Sequence, residues 1–186
     1  MTEPQATALQ NLLDKQAIRD LAQLYCRAAD RHDVELMRSL YHPDAMDDHG
    51  EMFKGLAVDF MAQLPSILKS MDILHHNVTT HNIELNGEHA EGEVYVLAFH
   101  KVRTESSTFD LLIGGRCFDK YEKRNGCWKF SHRAVVADWT NAAEPSAVKL
   151  DHPMLAGTYI GTPGPSDPSY TFFEGFQRTK QEAAAR

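Results

Sequence analysis

The sequence predicts an α+β domain, with helices first and a strongly curved antiparallel sheet after them. Three observations predict it. Apolar residues recur at helical spacing up to about residue 71. From residue 73 onward β-branched residues dominate and alternate with their neighbours. Two Asn-Gly pairs, Asn86-Gly87 and Asn125-Gly126, separate the alternating runs, where a two-residue hairpin turn needs positive φ. Helices followed by a run of strands give segregated layers rather than an alternating parallel sheet.

The first helix is expected over 8–29, where Leu9, Leu13, Ala17, Leu21, Tyr25 and Ala28 form a one-sided stripe. Asp33 stands where an N-cap belongs, ahead of a short second helix that Pro43 should stop. The stretch 44–50 reads as a short strand or loop closed by Gly50, and a third helix spans Gly55 to Met71 with a kink or restart at Pro65. Four strands follow: 73–85, 89–103, 108–124 and 127–140. Gly114-Gly115, on a strand with no helix after it, reads as a bulge and not a phosphate loop. Residues 1–140 thus make one domain. Residues 141–186 hold Pro145, Pro153, Pro163, Pro165 and Pro168, yet also Tyr159, Tyr170, Phe172, Phe173 and Phe176. A solvated tail would be poor in aromatics, so this segment is expected to pack as a lid or an inter-subunit arm.

Charge narrows the function. Lys and Arg number 19 against 26 Asp and Glu, a net charge of −7. A nucleic-acid binder would need a basic face to displace counterions, so none is expected. No apolar run approaches the ~18 residues of a membrane span, and the polar N-terminus does not resemble a secretory signal. Cys26, Cys117 and Cys127 form no C-x-x-C and read as reduced packing residues, which suits a cytoplasmic protein. The alternation of Val94, Val96 and Ala98 with Tyr95, Leu97 and Phe99 leaves both sheet faces apolar. The outer face should therefore be covered by further copies, as a dimer or trimer.

Ten histidines is a high count, and several fall on strands or their ends: His49, His75, His76, His81, His100 and His132. Imidazole is the side chain best placed to move a proton near neutral pH, and it needs a carboxylate to fix its tautomer. Asp30 closes the first helix, either as a solvated end or as such a partner. Asp47 and His49 share one face of an extended segment while Asp48 points away. No single element supplies two ligands at a metal-site spacing, so no metal is expected. Tyr25 lies on the buried helix stripe, as a core residue or as a donor to substrate. Arg133, in an apolar strand, faces either solvent or a polar cavity.

The segments LLDKQAIRDLAQLYCRAADRHD, LYHPDA, DDHGEMFKG and YEKRNGCWKFSHR, in this order and spacing, resemble the SnoaL-like branch of the nuclear transport factor 2-like superfamily over about residues 9–140. The resemblance implies a cone-shaped α+β barrel around a deep cavity. It also implies the chemistry of the superfamily's cofactor-free lyases, among them scytalone dehydratase, bile-acid 7-alpha-dehydratase, hexachlorocyclohexane dehydrochlorinase and diarylpropane lyases. Their Asp–His dyad matches Asp30 and His76, with His75 adjacent and open as an alternative; Tyr25 and Arg133 match further active-site positions. The implied activity is an elimination, dehydration or release of formaldehyde, on a small hydrophobic, hydroxylated, aromatic substrate. The cavity lining is expected to include Asp47, His49, Phe53, Phe60, Leu64, His75, Phe99 and part of the tail. Many superfamily members are not lyases. An isomerase of the ketosteroid kind would lose no fragment, and a binding module would bury Asp30 and His76 in a filled core.

Overall fold

A computed structural model describes residues 2–145, 150 and 153–173. Helix α1 (Glu3–Asp30) starts earlier than the apolar stripe predicts, because Thr2 N–H donates to Gln5 Oε1 and Pro4 occupies the first turn. Its C-terminal half is the buried half: Ile18, Leu21, Ala22, Ala28 and Ala29 enter the core, while Leu9 and Leu13, expected on the buried stripe, are exposed. Near its middle, Asp14 accepts from Trp128 Nε1 and Lys123 Nζ, each at 2.8 Å, and pins the helix to the far end of the sheet.

Asp33 caps α2 (Val34–Ser39), accepting from Leu36 N–H at 3.1 Å. The helix ends before Pro43, which lies inside strand β1 (Tyr41–Asp48): Phe130 N–H donates to Leu40 O and draws the chain into the sheet. Gly50, at φ +65°, turns β1 back toward β2 (Lys54–Leu56). Helix α3 (Ala57–Ile67) is shorter than predicted, since Gly55 and Leu56 belong to β2. Pro65 lies in its last turn, and the chain then tightens into a 3₁₀ turn, Leu68–Ser70.

The long strands β3 (Met71–Asn86), β4 (His89–Arg103), β5 (Thr108–Arg124) and β6 (Cys127–Ala143) pair antiparallel in sequence order. Both predicted hairpins form. Asn125 and Gly126 take φ +52° and +77°, the double positive φ that Asn-Gly supplies. In the other hairpin, Gly87, at φ +61°, and Glu88 occupy the turn. The sheet is wider than the four predicted strands. Its order is β2-β1-β6-β5-β4-β3, with β1 joined to β6 in one parallel pair and the edges β2 and β3 left unjoined. Register shifts at Val78/Thr80, Gly114/Gly115 and Lys120/Tyr121 bend the strands around the helices. The expected bulge at Gly114-Gly115 is one of them. A Cβ on Gly115 would collide with Val136 O, and one on Gly114 with the Trp139 ring. The core lies between the helices and the concave face and centres on Ile18, Met61, Tyr121 and Phe130. No described helix is long and apolar enough to cross a membrane.

After β6, residues 161–173 return to the C-terminal end of α1 and finish in a four-residue helix, α4 (Ser169–Phe172). Gly164 N–H donates to Arg31 O at 2.8 Å, Arg31 pairs with Asp167 at 2.8 Å, and Tyr170 Oη donates to Asp33 at 2.9 Å. Burial works to raise the pKa of Asp167, but hydrogen bonds from Ser169, Thr162 N–H and Arg31 hold it down at about 2. Gly161–Pro163 thereby cross the outer side of Asp30. Tyr159, Phe172 and Phe173 are exposed; Phe176 lies outside the described residues.

Candidate active site

Strand parity aims the site. On β3 His76 and Val78 point inward, and on β4 Val94, Val96, Ala98 and His100 do, all onto a cavity of ≈ 140 Å³. Ala22, Tyr25 and Cys26 of α1 close one side; Cys117, Arg133, Val135 and His49, with Ile113, Gly115, Arg116 and Val136, form the rest of the wall. An apolar cavity of about this size takes one benzene ring.

Asp30 ends α1 directly beside β3. Its carboxylate accepts from His76 N–H at 3.1 Å through both oxygens, and Oδ1 lies 2.7 Å from His76 Nδ1. This bonding assigns the proton to Nδ1 and leaves Nε2 as the basic nitrogen facing the cavity. The two adjacent histidines are thus resolved: His75 is exposed on the opposite face of β3, and His76 meets the carboxylate. His100 Nε2 lies 3.2 Å from His76 Nε2, so the two rings meet at the cavity wall. Burial, reinforced by the neighbouring His76 ring, pushes the pKa of His100 down to about 4, so this ring is neutral.

A second carboxylate–imidazole pair lies at the end of β1, and its imidazole faces the same cavity. Asp47, wholly buried, accepts from Tyr41 Oη at 2.8 Å and lies 2.5 Å from His49 Nδ1, which leaves His49 Nε2 for the cavity. The shared face expected for Asp47 and His49 is observed, with Asp48 turned away to pair with Lys54.

Arg133 resolves toward the cavity. Its Nε and Nη2 donate to the two oxygens of Asp119, each at 2.7 Å, and its guanidinium lies 4.1 Å from the Tyr25 ring centroid and 4.2 Å from that of Phe130. Burial works against its charge, but Asp119 outweighs burial and the group stays cationic. Nη1 bonds no described residue and remains available. Tyr25 lines the same wall with a hydroxyl that bonds no described residue. Burial, with Asp47 nearby, raises its pKa, so the phenol is a neutral donor. Cys26 and Cys117 also line the cavity, but burial pushes their thiols up to about 11 and about 12, which leaves them protonated and poor nucleophiles.

Six expected lining residues are placed elsewhere, Asp47 among them, buried against His49. Phe60 stacks behind His49 at 4.5 Å and Phe53 packs on Phe60, so both support the wall without forming it. Leu64 is in the helical core. Phe99 and His75 sit at the wrong parity on β4 and β3. Among the described residues no tail side chain lines the cavity. Conversely, His100 was legible from parity, since it continues the series Val94, Val96, Ala98. Asp119, Tyr121 and His81 carry no such signal. Tyr121 Oη donates to Asp119 at 2.7 Å and so receives from His81 Nε2 at 3.2 Å, which leaves the buried His81 Nδ1 without a partner among the described residues. Among the described residues no three His, Cys, Asp or Glu side chains come together as a metal-binding group.

Burial pushes His81, like His100, down to about 4 from an ordinary 6.5. Unfolding therefore takes up protons between those values. Stability is full above about pH 6.5 and falls as pH drops toward 4. Urea midpoints at about pH 7.5 and 4.5 measure this, and His100→Asn should flatten the difference.

Against known proteins, the SnoaL-like domain family matches residues 10–134. The chain belongs to this family, within the nuclear transport factor 2-like superfamily. Solved structures share the fold of this SnoaL-like protein. A scytalone dehydratase-like protein of Novosphingobium aromaticivorans DSM 12444 is 23% identical, with 75% of this chain and 97% of that one covered at TM-score 0.63. The hexachlorocyclohexane dehydrochlorinase LinA-type3 of Novosphingobium barchaimii LL02 is 19% identical, over 76% and 98%, at 0.69. A Nostoc punctiforme protein with a cystatin-like fold is 20% identical, over 68% and 92%, at 0.57. No curated protein matches by sequence.

Proposed function

We propose that this protein is a cofactor-independent lyase that eliminates water or formaldehyde from a small hydrophobic, hydroxylated, aromatic substrate. The observation that carries the reading is the Asp30–His76 pair, with the basic Nε2 of His76 aimed into an apolar cavity beside free donors. Dehydratases and dehydrochlorinases among the structural neighbours support it by analogy.

In the dehydration version, His76 Nε2 takes a proton from carbon, the C–H pair forms the double bond, and the β-hydroxyl departs as water with a proton from a cavity donor. In the formaldehyde-releasing version, His76 takes the proton of a terminal hydroxyl. The C–C pair then forms the double bond, formaldehyde leaves, and a second hydroxyl is expelled with a donated proton. Tyr25 and Arg133 Nη1 are the donors where charge develops on oxygen, while His49, held by Asp47, presents a second acceptor nitrogen to the cavity. Asp30 fixes the tautomer of His76 and stabilises the imidazolium once the proton has moved. The test is a mass-spectrometric screen of hydroxylated aromatics for loss of water alone or of formaldehyde together with water.

The reading extends to a homo-oligomer, dimer or trimer. Tyr95, Leu97, Leu112, Phe118 and Trp139 leave large apolar side chains exposed, more than an isolated domain usually tolerates together. Light scattering at micromolar concentration should give a multiple of the 21.0 kDa chain mass; a monomer would refute it.

A further inference from the structure

The cavity does not end at His76. Between α1 and β3 a second recess of ≈ 430 Å³ continues from it, and the two spaces share Cys26, His76 and Val78. Their chemistry differs. The inner walls combine Val, Ala and Ile side chains with the rings of Tyr25, His49, His76 and His100 and with Arg116 and Arg133, each of which is paired with a carboxylate. The recess is lined by Arg19, Gln23, Asn77, Thr79 and His81, and no carboxylate lines it, in a chain whose net charge is −7.

Arg19 is the telling residue. Every other described arginine is engaged: Arg27 with Ser169, Arg31 with Asp167, Arg38 with Glu35, Arg103 with Asp72, Arg116 with Asp138, Arg124 with Asp44 and Arg133 with Asp119. Half-buried Arg19 has no hydrogen-bond or ion-pair partner among the described residues. Gln23, one turn further along α1, sets an amide beside it. The inner cavity has room for about a single ring, and the recess that shares its wall offers space for the rest of a larger substrate.

We infer that the recess binds a carboxylate of the substrate, which makes the ligand an amphipathic organic acid. Its aromatic body fills the inner cavity, its carboxylate meets the Arg19 guanidinium, and the reacting carbon or hydroxyl lies between them at His76. The planar guanidinium fork matches a carboxylate in shape and charge. An uncommitted cation at the mouth also gives an organic anion a local attraction on an otherwise acidic protein. The inference takes the position of the reacting atom from the lyase reading; the subsite itself stands on Arg19 and the recess.

The experiment is calorimetric titration of the full chain with cinnamate and with methyl cinnamate, in wild type and in Arg19→Gln. Cinnamate should bind wild type roughly tenfold more tightly than the ester, the worth of one charge-assisted hydrogen-bonded contact, and the preference should shrink with added salt. Arg19→Gln should abolish the preference and leave the affinity for the ester unchanged, with an unaltered thermal melt. Equal affinities in wild type, equal weakening of both probes by Arg19→Gln, or no binding of either probe at millimolar concentration would overturn the subsite. Those outcomes leave proton transfer at His76 standing, because that reads only in turnover.

Discussion

His76→Ala lowers turnover by about 10²–10⁴-fold, the range for loss of a general base, and leaves the fold intact. His76 is a partly exposed wall residue whose removal enlarges a cavity that is already open. Asp30→Asn gives a comparable loss by a different route. An asparagine can turn its amide toward His76 Nδ1 and donate to it, which moves the ring proton to Nε2 and converts the base into a donor. The hydrogen bonds from His76 N–H keep an acceptor if the amide oxygen faces them, so circular dichroism and thermal melts should stay near wild type. A variant of either residue with full activity on the true substrate would remove the dyad from the mechanism. His100→Ala separates the two rings that meet at Nε2: it should cost less than His76→Ala, because His100 is neutral and holds the base from the side away from Asp30.

Arg133→Met produces the largest loss of stability, about 3–5 kcal/mol, as expected when one partner of a buried ion pair is removed. Arg133 is 2% exposed and the side chain of Asp119 is 0% exposed, so the single substitution strands a buried carboxylate with, among the described residues, only the Tyr121 hydroxyl to answer it. It also removes the cation held between Tyr25 and Phe130. The double variant Arg133→Met/Asp119→Leu should recover much of that loss, since a buried pair replaced by apolar groups of similar volume is often near neutral. Urea midpoints of the wild type, the single and the double variant measure this. Turnover should not recover with stability, because the double variant still lacks Nη1 in the cavity. Equal instability of the single and double variants would show that the pair is not the source of the loss.

Much of this architecture is legible in the sequence. Helix α1, the Asp33 cap and both Asn-Gly hairpins follow from local chemistry: a one-sided stripe, a short acceptor side chain and two positive φ angles. The placement of Asp47 with His49 followed from strand parity alone. What was not legible depends on contacts distant in sequence. Strand β1 joins β6 in parallel, and nothing near Pro43 signals that a strand would draw it in. Leu9 and Leu13 carry the helical period, but no sheet reaches the first turns of α1 to bury them. Phe99 and His75 were assigned to the cavity by residue type, whereas the pleat puts them on the other face of their strands. The chain His81–Tyr121–Asp119–Arg133 is invisible in sequence because its members come from three strands and meet only when β3, β4, β5 and β6 bend together. The choice between His75 and His76 needed only the end of α1, where Asp30 reaches one ring and not the other.

The most direct test of the central claim is the mass balance of the reaction. Purified protein, without added cofactor, is incubated with hydroxylated aromatics bearing a β-hydroxyl or a terminal hydroxymethyl group, with His76→Ala run in parallel. The account predicts a product lighter than its substrate by one water, or by one formaldehyde and one water together, formed by the wild type and suppressed in the variant. A product of unchanged mass, or the same loss at the same rate without His76, would contradict it.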